Sequence, residues 1–280
     1  MLRHHATSWA VWLLALAPMV TSGQGMIEVV VLTGNLGPGG VEEFDTFDAP
    51  ILNINGQLAF TAGLTNSPGG VGVDDFGVYR GQVGSVVEIA RKGMTPPVGD
   101  GIFNTFGGLS MNDAGKVGFT SLRAGTIDPP NDNDGIYRGN GTVLDEVVRS
   151  DIAPAGGNGT FATFFDGAVI NSAGQLGFQA FIAGTNNSPL DDSGIFVGSG
   201  GTPTQIVREG SPAPGGNGMF DGNITTGPSL NNAGHAAFRG NLGGTSAAPN
   251  DDEAVYLHNG SSLVELVREG QAHPDGDGTF

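Results

Sequence analysis

The chain repeats itself with a period of about 59 residues, so any fold proposed for it must accommodate several similar units. The pattern Asn-x-x-Gly-x-[Leu/Val/Ala]-[Ala/Gly]-Phe occurs four times at an almost constant spacing. It begins at Asn53, Asn112, Asn171 and Asn231 and ends at Phe60, Phe119, Phe178 and Phe238. Two further columns keep the same period, an aromatic one at Tyr79, Tyr137, Phe196 and Tyr256 and a basic one at Arg91, Arg149, Arg208 and Arg268. Such periods are typical of units that bury their apolar faces by stacking on neighbours.

Each unit is predicted to form four short β-strands, as the third unit illustrates. Its strands are expected at Phe161–Ile170, Gln175–Ile182, Gly194–Val197 and Gln205–Arg208. A turn separates the first two, because Asn bonds to nearby backbone and Gly accepts a positive φ. The second strand shows the alternation of apolar and other residues that favours a half-buried strand.

A four-stranded meander repeated head to tail predicts a β-propeller in which each unit is one blade. The phenylalanine columns are expected to fill the space between blades. A β-solenoid and a string of small sandwich domains also repeat strands, but solenoid rungs are usually much shorter and sandwich domains usually run near ~100 residues. The predicted fold class is therefore all-β, a propeller of four-stranded blades, each of about 59 residues.

The two ends of the repeat domain, residues 24–280, fall at different points of the unit. Residues 27–32 align with a fourth strand, because Leu32 lies in the arginine column. Complete units follow at about 44–102, 103–160, 161–219 and 220–279. A leading fourth strand without its three partners predicts an incomplete ring, with further units beyond Phe280. The alternative is a compact ring of four blades with a spare first strand.

Composition excludes several classes of protein. Glycine accounts for 50 of the 280 residues, but it does not recur at every third position and only 16 residues are proline, which excludes collagen. Hydrophobic residues make up 38% of the chain, too many for a disordered linker. The formal net charge of −17 argues against a nucleic-acid partner and against an anionic membrane surface.

Residues 1–23 have the pattern of a secretory signal peptide. Arg3 and two histidines precede an apolar run from Ala10 to Val20, and small residues follow at the predicted cleavage site. The run is shorter than the ~20 residues that span a bilayer. We therefore expect an exported mature chain without a membrane span, located outside the cell or at its surface. The sequence contains no cysteine, so disulfides have no part in its stability.

The repeated signature also carries a resemblance to a known class of proteins. Its residues are Asn53, Gly56, Ala59 and Phe60 in the first unit and Asn231, Gly234, Ala237 and Phe238 in the fourth. Gly118 and Gly177 replace the alanine in the two middle units. The repeats resemble exported bacterial tandem-repeat proteins with the N-x-x-G-x-x-A-F signature, described as "choice-of-anchor" proteins because they end in one of several surface-sorting segments. The units are also distantly similar to TolB-type propeller blades. Both resemblances imply export, and neither implies a catalytic residue.

One aspartate per unit precedes the predicted third strand and is a candidate calcium ligand. These residues are Asp74, Asp132, Asp191 and Asp251, each followed by a further Asp or Asn. Carboxylate oxygens suit Ca²⁺, but neither an EF-hand spacing nor a nine-residue calcium repeat is present. Side-chain capping of the entry to the strand explains the column without a metal, and this is the interpretation we favour.

The remaining patterns give little indication of catalysis. The arginine column is interpreted as structural, because a single active site rarely needs four copies of one residue. The sequence has no Gly-x-Ser-x-Gly nucleophile motif and no phosphate-binding Gly-x-x-x-x-Gly-Lys motif. The three histidines outside the signal segment show no spacing typical of zinc ligands.

The sequence therefore favours a non-catalytic, exported scaffold that binds an unknown extracellular ligand or surface component and needs no cofactor. Two alternatives stay open. One is a secreted carbohydrate-active hydrolase or lyase with a site in the central channel, since carboxylates are plentiful. The other is a calcium-stabilised adhesion module.

Overall fold

A computed structural model describes residues 27–165, 167–222, 224 and 227–280. The predicted signal peptide at residues 1–23 lies outside the described residues. Within them the chain forms nineteen β-strands and no helix, which confirms the prediction of an all-β fold. This part of the chain accordingly has no helix long and apolar enough to cross a membrane.

The strands form four antiparallel sheets, one for each repeat. Sheet 1 contains β1 (Glu43–Phe47), β2 (Ile51–Leu52), β3 (Leu58–Thr65), β4 (Phe76–Gln82) and β5 (Ser85–Arg91). Sheet 2 contains β6 (Ile102–Met111), β7 (Val117–Ala124), β8 (Asp134–Gly139) and β9 (Leu144–Arg149). Sheet 3 contains β10 (Thr160–Phe164), β11 (Val169–Ile170), β12 (Leu176–Ala183), β13 (Ser193–Gly198) and β14 (Thr204–Arg208). Sheet 4 contains β15 (Met219–Phe220), β16 (Ser229–Leu230), β17 (Ala236–Gly243), β18 (Glu253–His258) and β19 (Leu263–Arg268).

Each sheet is a meander, and its first strand is the least regular. In sheet 3 the first strand predicted at Phe161–Ile170 is divided into β10 and β11, both paired with β12. The register between β10 and β12 shifts between Phe161 and Thr163, and Gly167 has a φ of 106°, so the chain cannot continue there as a straight strand. In sheet 2 the corresponding strand, β6, is continuous.

The turn before the second main strand forms as the sequence predicts. In the third repeat the N–H group of Gly174 donates to the carbonyl oxygen of Asn171 at 2.9 Å, and Gly174 has a φ of 82°. The matching glycines of the other repeats also have a positive φ, between 74° and 80°. A side chain is strained in this left-handed region, so the signature needs glycine at this point.

The aromatic columns meet as cross-strand pairs on one face of each sheet. The registers pair Phe60 with Tyr79, Phe119 with Tyr137, Phe178 with Phe196 and Phe238 with Tyr256. Ring centroids in these stacked pairs lie 5.6–5.8 Å apart. A phenylalanine from the first strand meets the third-strand ring at 4.8–5.0 Å in every sheet; these are Phe44, Phe103, Phe161 and Phe220. We call this side of a sheet its aromatic face.

The opposite side, here called the aliphatic face, packs against the aromatic face of the following sheet. Ile136, Val147 and Val148 of sheet 2 share one buried cluster with the aromatic face of sheet 3. Equivalent clusters join sheets 1 and 2 and sheets 3 and 4. The core is therefore a series of similar junctions between consecutive sheets, rather than one central cluster.

These junctions explain why the two middle repeats carry glycine where the signature has alanine. A Cβ atom on Gly118 would lie 2.5 Å from Leu176 Cδ2 of the next sheet. The first repeat, with Ala59, instead faces the smaller Val117 in the same cluster. A Cβ atom on Gly177 would lie 3.1 Å from Pro228 Cγ. The departure from the signature thus compensates for bulkier neighbours across the junction.

Residues 27–32, where the sequence predicts a leading fourth strand, do not form a strand. They lie where the fourth strand of a preceding sheet would lie. A Cβ atom on Gly81 would lie 2.8 Å from Val30 Cγ1, just as one on Gly139 would lie 2.8 Å from Ile89 Cγ2. Val31 packs against the aromatic face of sheet 1. The segment lacks neighbouring strands to hydrogen-bond with among the described residues, so it contacts sheet 1 through side chains without becoming part of a ladder.

Candidate functional site

The asparagine column forms a ladder of side chains that links consecutive repeats. The amide nitrogen of Asn53 donates to the carbonyl oxygen of Asn112 at 3.1 Å, and that of Asn112 donates to Asn171 at 2.9 Å. Asn171 in turn donates to the carbonyl oxygen of Asn231 at 3.1 Å. Each Oδ1 closes its own turn by accepting the N–H group four residues later, at 2.9 Å in all four repeats. Both ends of the amide are therefore used in folding at Asn53, Asn112 and Asn171.

The aspartate column organises the loops before the third strands. The carboxylates of Asp74, Asp132, Asp191 and Asp251 accept N–H groups of their own loops at 2.9–3.3 Å. In the fourth repeat the Thr245 hydroxyl, at 2.5 Å, and the Asn217 amide, at 2.9 Å, bind the same carboxylate. The Thr245 hydroxyl, the Asn217 amide and the Arg268 guanidinium lower the pKa of Asp251, against a smaller opposing effect of desolvation.

The structure does not bring the four aspartates together, because each lies in the loop of its own repeat. The described residues contain no group of three or more His, Cys, Asp or Glu side chains placed to hold a metal ion. The loop hydrogen bonds give the aspartates the capping role that the sequence suggested.

Three members of the arginine column are buried and bind backbone carbonyl groups or carboxylates of nearby loops and strands. Arg208 donates from Nε to the carbonyl oxygen of Asp191 at 2.6 Å and from Nη2 to that of Asn158 at 2.8 Å. Arg268 donates to the carbonyl oxygen of Asn217 at 2.8 Å and pairs with Glu265 at 2.6 Å. Arg91 instead pairs with two carboxylates, of Glu42 at 2.5 Å and of Glu88 at 2.7 Å.

In the second repeat a different arginine binds the two loop carbonyl groups, and the sequence analysis missed it. Arg123 is 3% exposed and donates to the carbonyl oxygens of Asp100 and Asp132, the counterparts of the two that Arg208 binds. Arg149 is half-buried and only approaches Glu146, at 3.8 Å. The sequence does distinguish Arg123, because the matching positions of the other repeats are leucine or isoleucine.

A pair of buried carboxyl groups lies in the third unit, and the sequence analysis did not identify it. The fourth unit has the same residue types at these positions, Asp252 and Glu269, but there both are only half-buried. Asp192 and Glu209 are 7% and 5% exposed, and Glu209 Oε2 accepts the N–H group of Asp192 at 3.2 Å. Burial, together with the neighbouring carboxylates of Asp192 and Asp221, raises the pKa of Glu209 to about 7. In the first repeat the same two positions hold an ion pair, Lys92 with Asp75, at 3.7 Å. A comparison of the repeats position by position would have revealed lysine in the first unit, serine in the second and glutamate in the third and fourth.

A groove of about 390 Å³ lies between sheets 2 and 3 and combines polar groups with aromatic rings. Its lining includes Thr105, Ser121, Asp134, Thr163 and Phe165. The Asp134 carboxylate also accepts the N–H group of Phe164 at 2.9 Å, which fixes its position. Thr105 and Thr163 are exposed, and Phe165 is 43% exposed. Hydroxyl groups, a carboxylate and an accessible ring are the features that recognise hydroxylated small molecules.

The aliphatic face of sheet 4 is exposed. Val255 is 38% exposed and Leu266 is 56% exposed. The residues that match Val255 in the first three sheets are completely buried; they are Val78, Ile136 and Ile195. Asn231 is also exposed, and among the described residues its amide nitrogen has no acceptor. The polar and apolar features of each internal junction are thus repeated here, where the described residues include no sheet packed against them.

Comparison with known proteins places the chain in a family. A family model described as "Family of unknown function (DUF7453)" matches residues 16–280. The chain belongs to this family. No curated protein matches its sequence.

One solved structure that it resembles is an oligogalacturonate lyase in complex with manganese, with 14% sequence identity and a TM-score of 0.41. The alignment covers 81% of this chain and 54% of the lyase, so the chain spans about half the length of that protein.

Proposed function

We propose that the chain is a non-catalytic repeat scaffold that binds a ligand outside the cell or at its surface. The observation that carries the proposal is the use of the repeated polar side chains. Most side chains of the asparagine, aspartate and arginine columns make hydrogen bonds or ion pairs that build the fold. A catalytic group needs access to substrate and a protonation state suited to its task. Most of the column residues are instead committed to structural contacts that recur from sheet to sheet.

The proposal includes a β-propeller in which each sheet is one blade. Four-stranded meanders and the stacking of an aromatic face on an aliphatic face support this architecture. Export is proposed from the predicted signal peptide and from the resemblance to the "choice-of-anchor" proteins. Cell fractionation tests it: the mature chain should appear outside the cytoplasm, and deletion of residues 1–23 should retain it inside.

The groove between sheets 2 and 3 is the proposed ligand site, and its chemistry suits a saccharide or another hydroxylated molecule. Thr163→Arg places a long, charged side chain at the mouth of the groove. Thr46→Arg is the matched control, because Thr46 has the equivalent position on the first strand of sheet 1. In a glycan-binding screen, we expect binding by the wild-type chain and Thr46→Arg, and loss of binding in Thr163→Arg. Equal binding by all three proteins would exclude this groove.

A carbohydrate-active hydrolase or lyase is the second candidate, and the carboxyl pair of Asp192 and Glu209 is the observation in its favour. A carboxyl group with a raised pKa, as at Glu209, beside a second carboxyl group is the minimum for acid–base cleavage of a glycosidic bond. Both groups are buried, so a substrate does not reach them in this conformation. We expect no new reducing ends and no unsaturated sugar products from any bound polysaccharide. Product formation that Glu209→Gln abolishes would establish the enzyme instead.

A further inference from the structure

The groove between sheets 2 and 3 contains a carboxyl group where the preceding junction has an aromatic ring. Asp134 and Phe76 lie at the same position, three residues before the third-strand tyrosine of their sheets. The Phe76 ring stacks on Phe106 of the next sheet, with ring centroids 6.4 Å apart. Asp134 instead meets Phe164, the counterpart of Phe106, by accepting its backbone N–H group. The shorter side chain leaves space at this junction and places a carboxyl group beside it.

This carboxyl group is held in a fixed position. Asp134 is 5% exposed, and its own N–H group donates to Ser150 Oγ at 3.0 Å. Its Oδ2 atom accepts the N–H group of Phe164 at 2.9 Å. Ser150 is completely buried. Because the protein already orders the carboxyl group, a ligand that binds to it pays little for further ordering.

The charge of the groove favours a cationic ligand. Among the described residues that line it, Asp134 is the only charged one, and the whole chain has a formal net charge of −17. A positively charged ligand is therefore attracted, whereas a ligand with carboxylate or sulfate groups is repelled. Phe106 and Phe165 also line the groove, and the face of an aromatic ring attracts positive charge.

We propose that the groove selects a saccharide that carries ammonium groups, such as an oligomer of glucosamine. This inference rests on the proposed ligand-binding function and names the class of ligand. An ammonium group of the sugar donates to the Asp134 carboxylate in a charge-assisted hydrogen bond. The exposed side chains of Thr105 and Thr163 bind sugar hydroxyl groups, and Phe165, which is 43% exposed, packs against the apolar face of the sugar ring.

The ligand preference of the wild-type chain tests the proposal without any variant. Isothermal titration calorimetry compares the tetrasaccharides of glucosamine, N-acetylglucosamine and galacturonic acid in a mildly acidic buffer that keeps the amine protonated. The glucosamine tetramer should bind about tenfold or more tightly than the neutral tetramer, because it gains a charge-assisted hydrogen bond, and the acidic tetramer should bind most weakly. Added salt should weaken binding of the glucosamine tetramer and leave that of the neutral one nearly unchanged. Equal affinity for the cationic and neutral tetramers, or tighter binding of the acidic one, would overturn the proposal.

A pair of variants assigns the preference to Asp134. Asp134→Asn keeps the shape of the side chain and an acceptor for Phe164, so it should lose about tenfold in affinity for the glucosamine tetramer and keep its affinity for the neutral one. Asp45→Asn is the matched control, because it removes the same charge from an exposed position on the first strand of sheet 1. It should keep the wild-type preference. A preference that survives Asp134→Asn unchanged would overturn the proposal, and circular dichroism confirms that each variant folds.

Failure of this inference is distinguishable from failure of the proposed function. Binding of the neutral tetramer that Thr163→Arg abolishes, without any preference for ammonium groups, would keep the groove as a saccharide site and overturn the selection of ammonium. A wild-type chain that does not bind the glucosamine tetramer would likewise overturn the inference, even where the glycan-binding screen finds another ligand for the groove.

Discussion

Replacing Asn112 by aspartate tests the asparagine ladder by removing one donor while keeping the shape of the side chain. One carboxylate oxygen can still accept the N–H group of Lys116, which the amide oxygen accepts at 2.9 Å. The other oxygen then faces the carbonyl oxygen of Asn171, to which the amide nitrogen donates at 2.9 Å. Asn112 is 5% exposed, so water cannot readily replace the lost donor.

The expected cost follows from these contacts. The lost hydrogen bond contributes about 0.5–1.5 kcal/mol, and two buried acceptors facing each other cost about 1–3 kcal/mol more. We therefore expect Asn112→Asp to lower the free energy of unfolding by about 2–4 kcal/mol at neutral pH. Asn231→Asp is the matched control, because Asn231 is exposed and donates to no further repeat. Its cost should stay within about 0.5 kcal/mol, as for other surface substitutions.

Urea unfolding followed by circular dichroism measures the difference between the two variants. The penalty of Asn112→Asp should shrink below about pH 4, because a protonated carboxyl group can again donate to the carbonyl oxygen of Asn171. Equal destabilisation by both variants, or a penalty that does not change with pH, would refute the assignment of the column as a ladder between repeats.

Three further predictions concern the junctions, the buried acid pair and the loops. Gly118→Ala should destabilise the fold by about 1–3 kcal/mol through overpacking against Leu176, and adding Leu176→Val should recover most of the loss, as measured by urea unfolding of the single and double variants. Glu209 has its pKa raised to about 7 in the folded chain, so its contribution to stability is complete below about pH 4.5 and is lost as pH rises through 7. Thermal unfolding across this range should therefore show a decline of up to about 3 kcal/mol that is absent in Glu209→Gln. The melting temperature should be the same with Ca²⁺ and with a chelator, because each of the four aspartates already accepts an N–H group of its own loop and no group of three potential ligands is present among the described residues. A rise with Ca²⁺ that Asp132→Ala and Asp191→Ala reduce would instead support the calcium-stabilised adhesion module.

The local structure could be predicted from the sequence because each repeat supplies an independent copy of the same evidence. The Asn-x-x-Gly turn, the four strands and the pairing of Phe178 with Phe196 all follow from spacing and residue type. The capping role of the aspartates was predicted for the same reason, since an Asx cap depends only on a few neighbouring residues.

Contacts between repeats could not be predicted in the same way, because they depend on how sheets are placed in space. Spacing alone does not reveal that Asn112 donates across a junction or that Gly118 makes room for Leu176. Arg123 occurs in one repeat only, and the pair of Asp192 with Glu209 is buried only in the third unit; both were missed because attention to shared columns hides the positions where the copies differ. Residues 27–32 were predicted as a strand from their alignment, but a strand needs hydrogen-bonding neighbours that the described chain does not provide.

The packing of the four sheets implies that each sheet is stabilised by the sheets that cover its two faces. Hydrogen–deuterium exchange, resolved by peptide for each repeat and measured on dilute protein, tests it most directly. We expect the strongest protection in β7 and β12, whose sheets are covered on both faces, and the weakest protection in sheet 4, whose aliphatic face is exposed. Equal protection of all four sheets, or the strongest protection in β17 and β18, would contradict the claim.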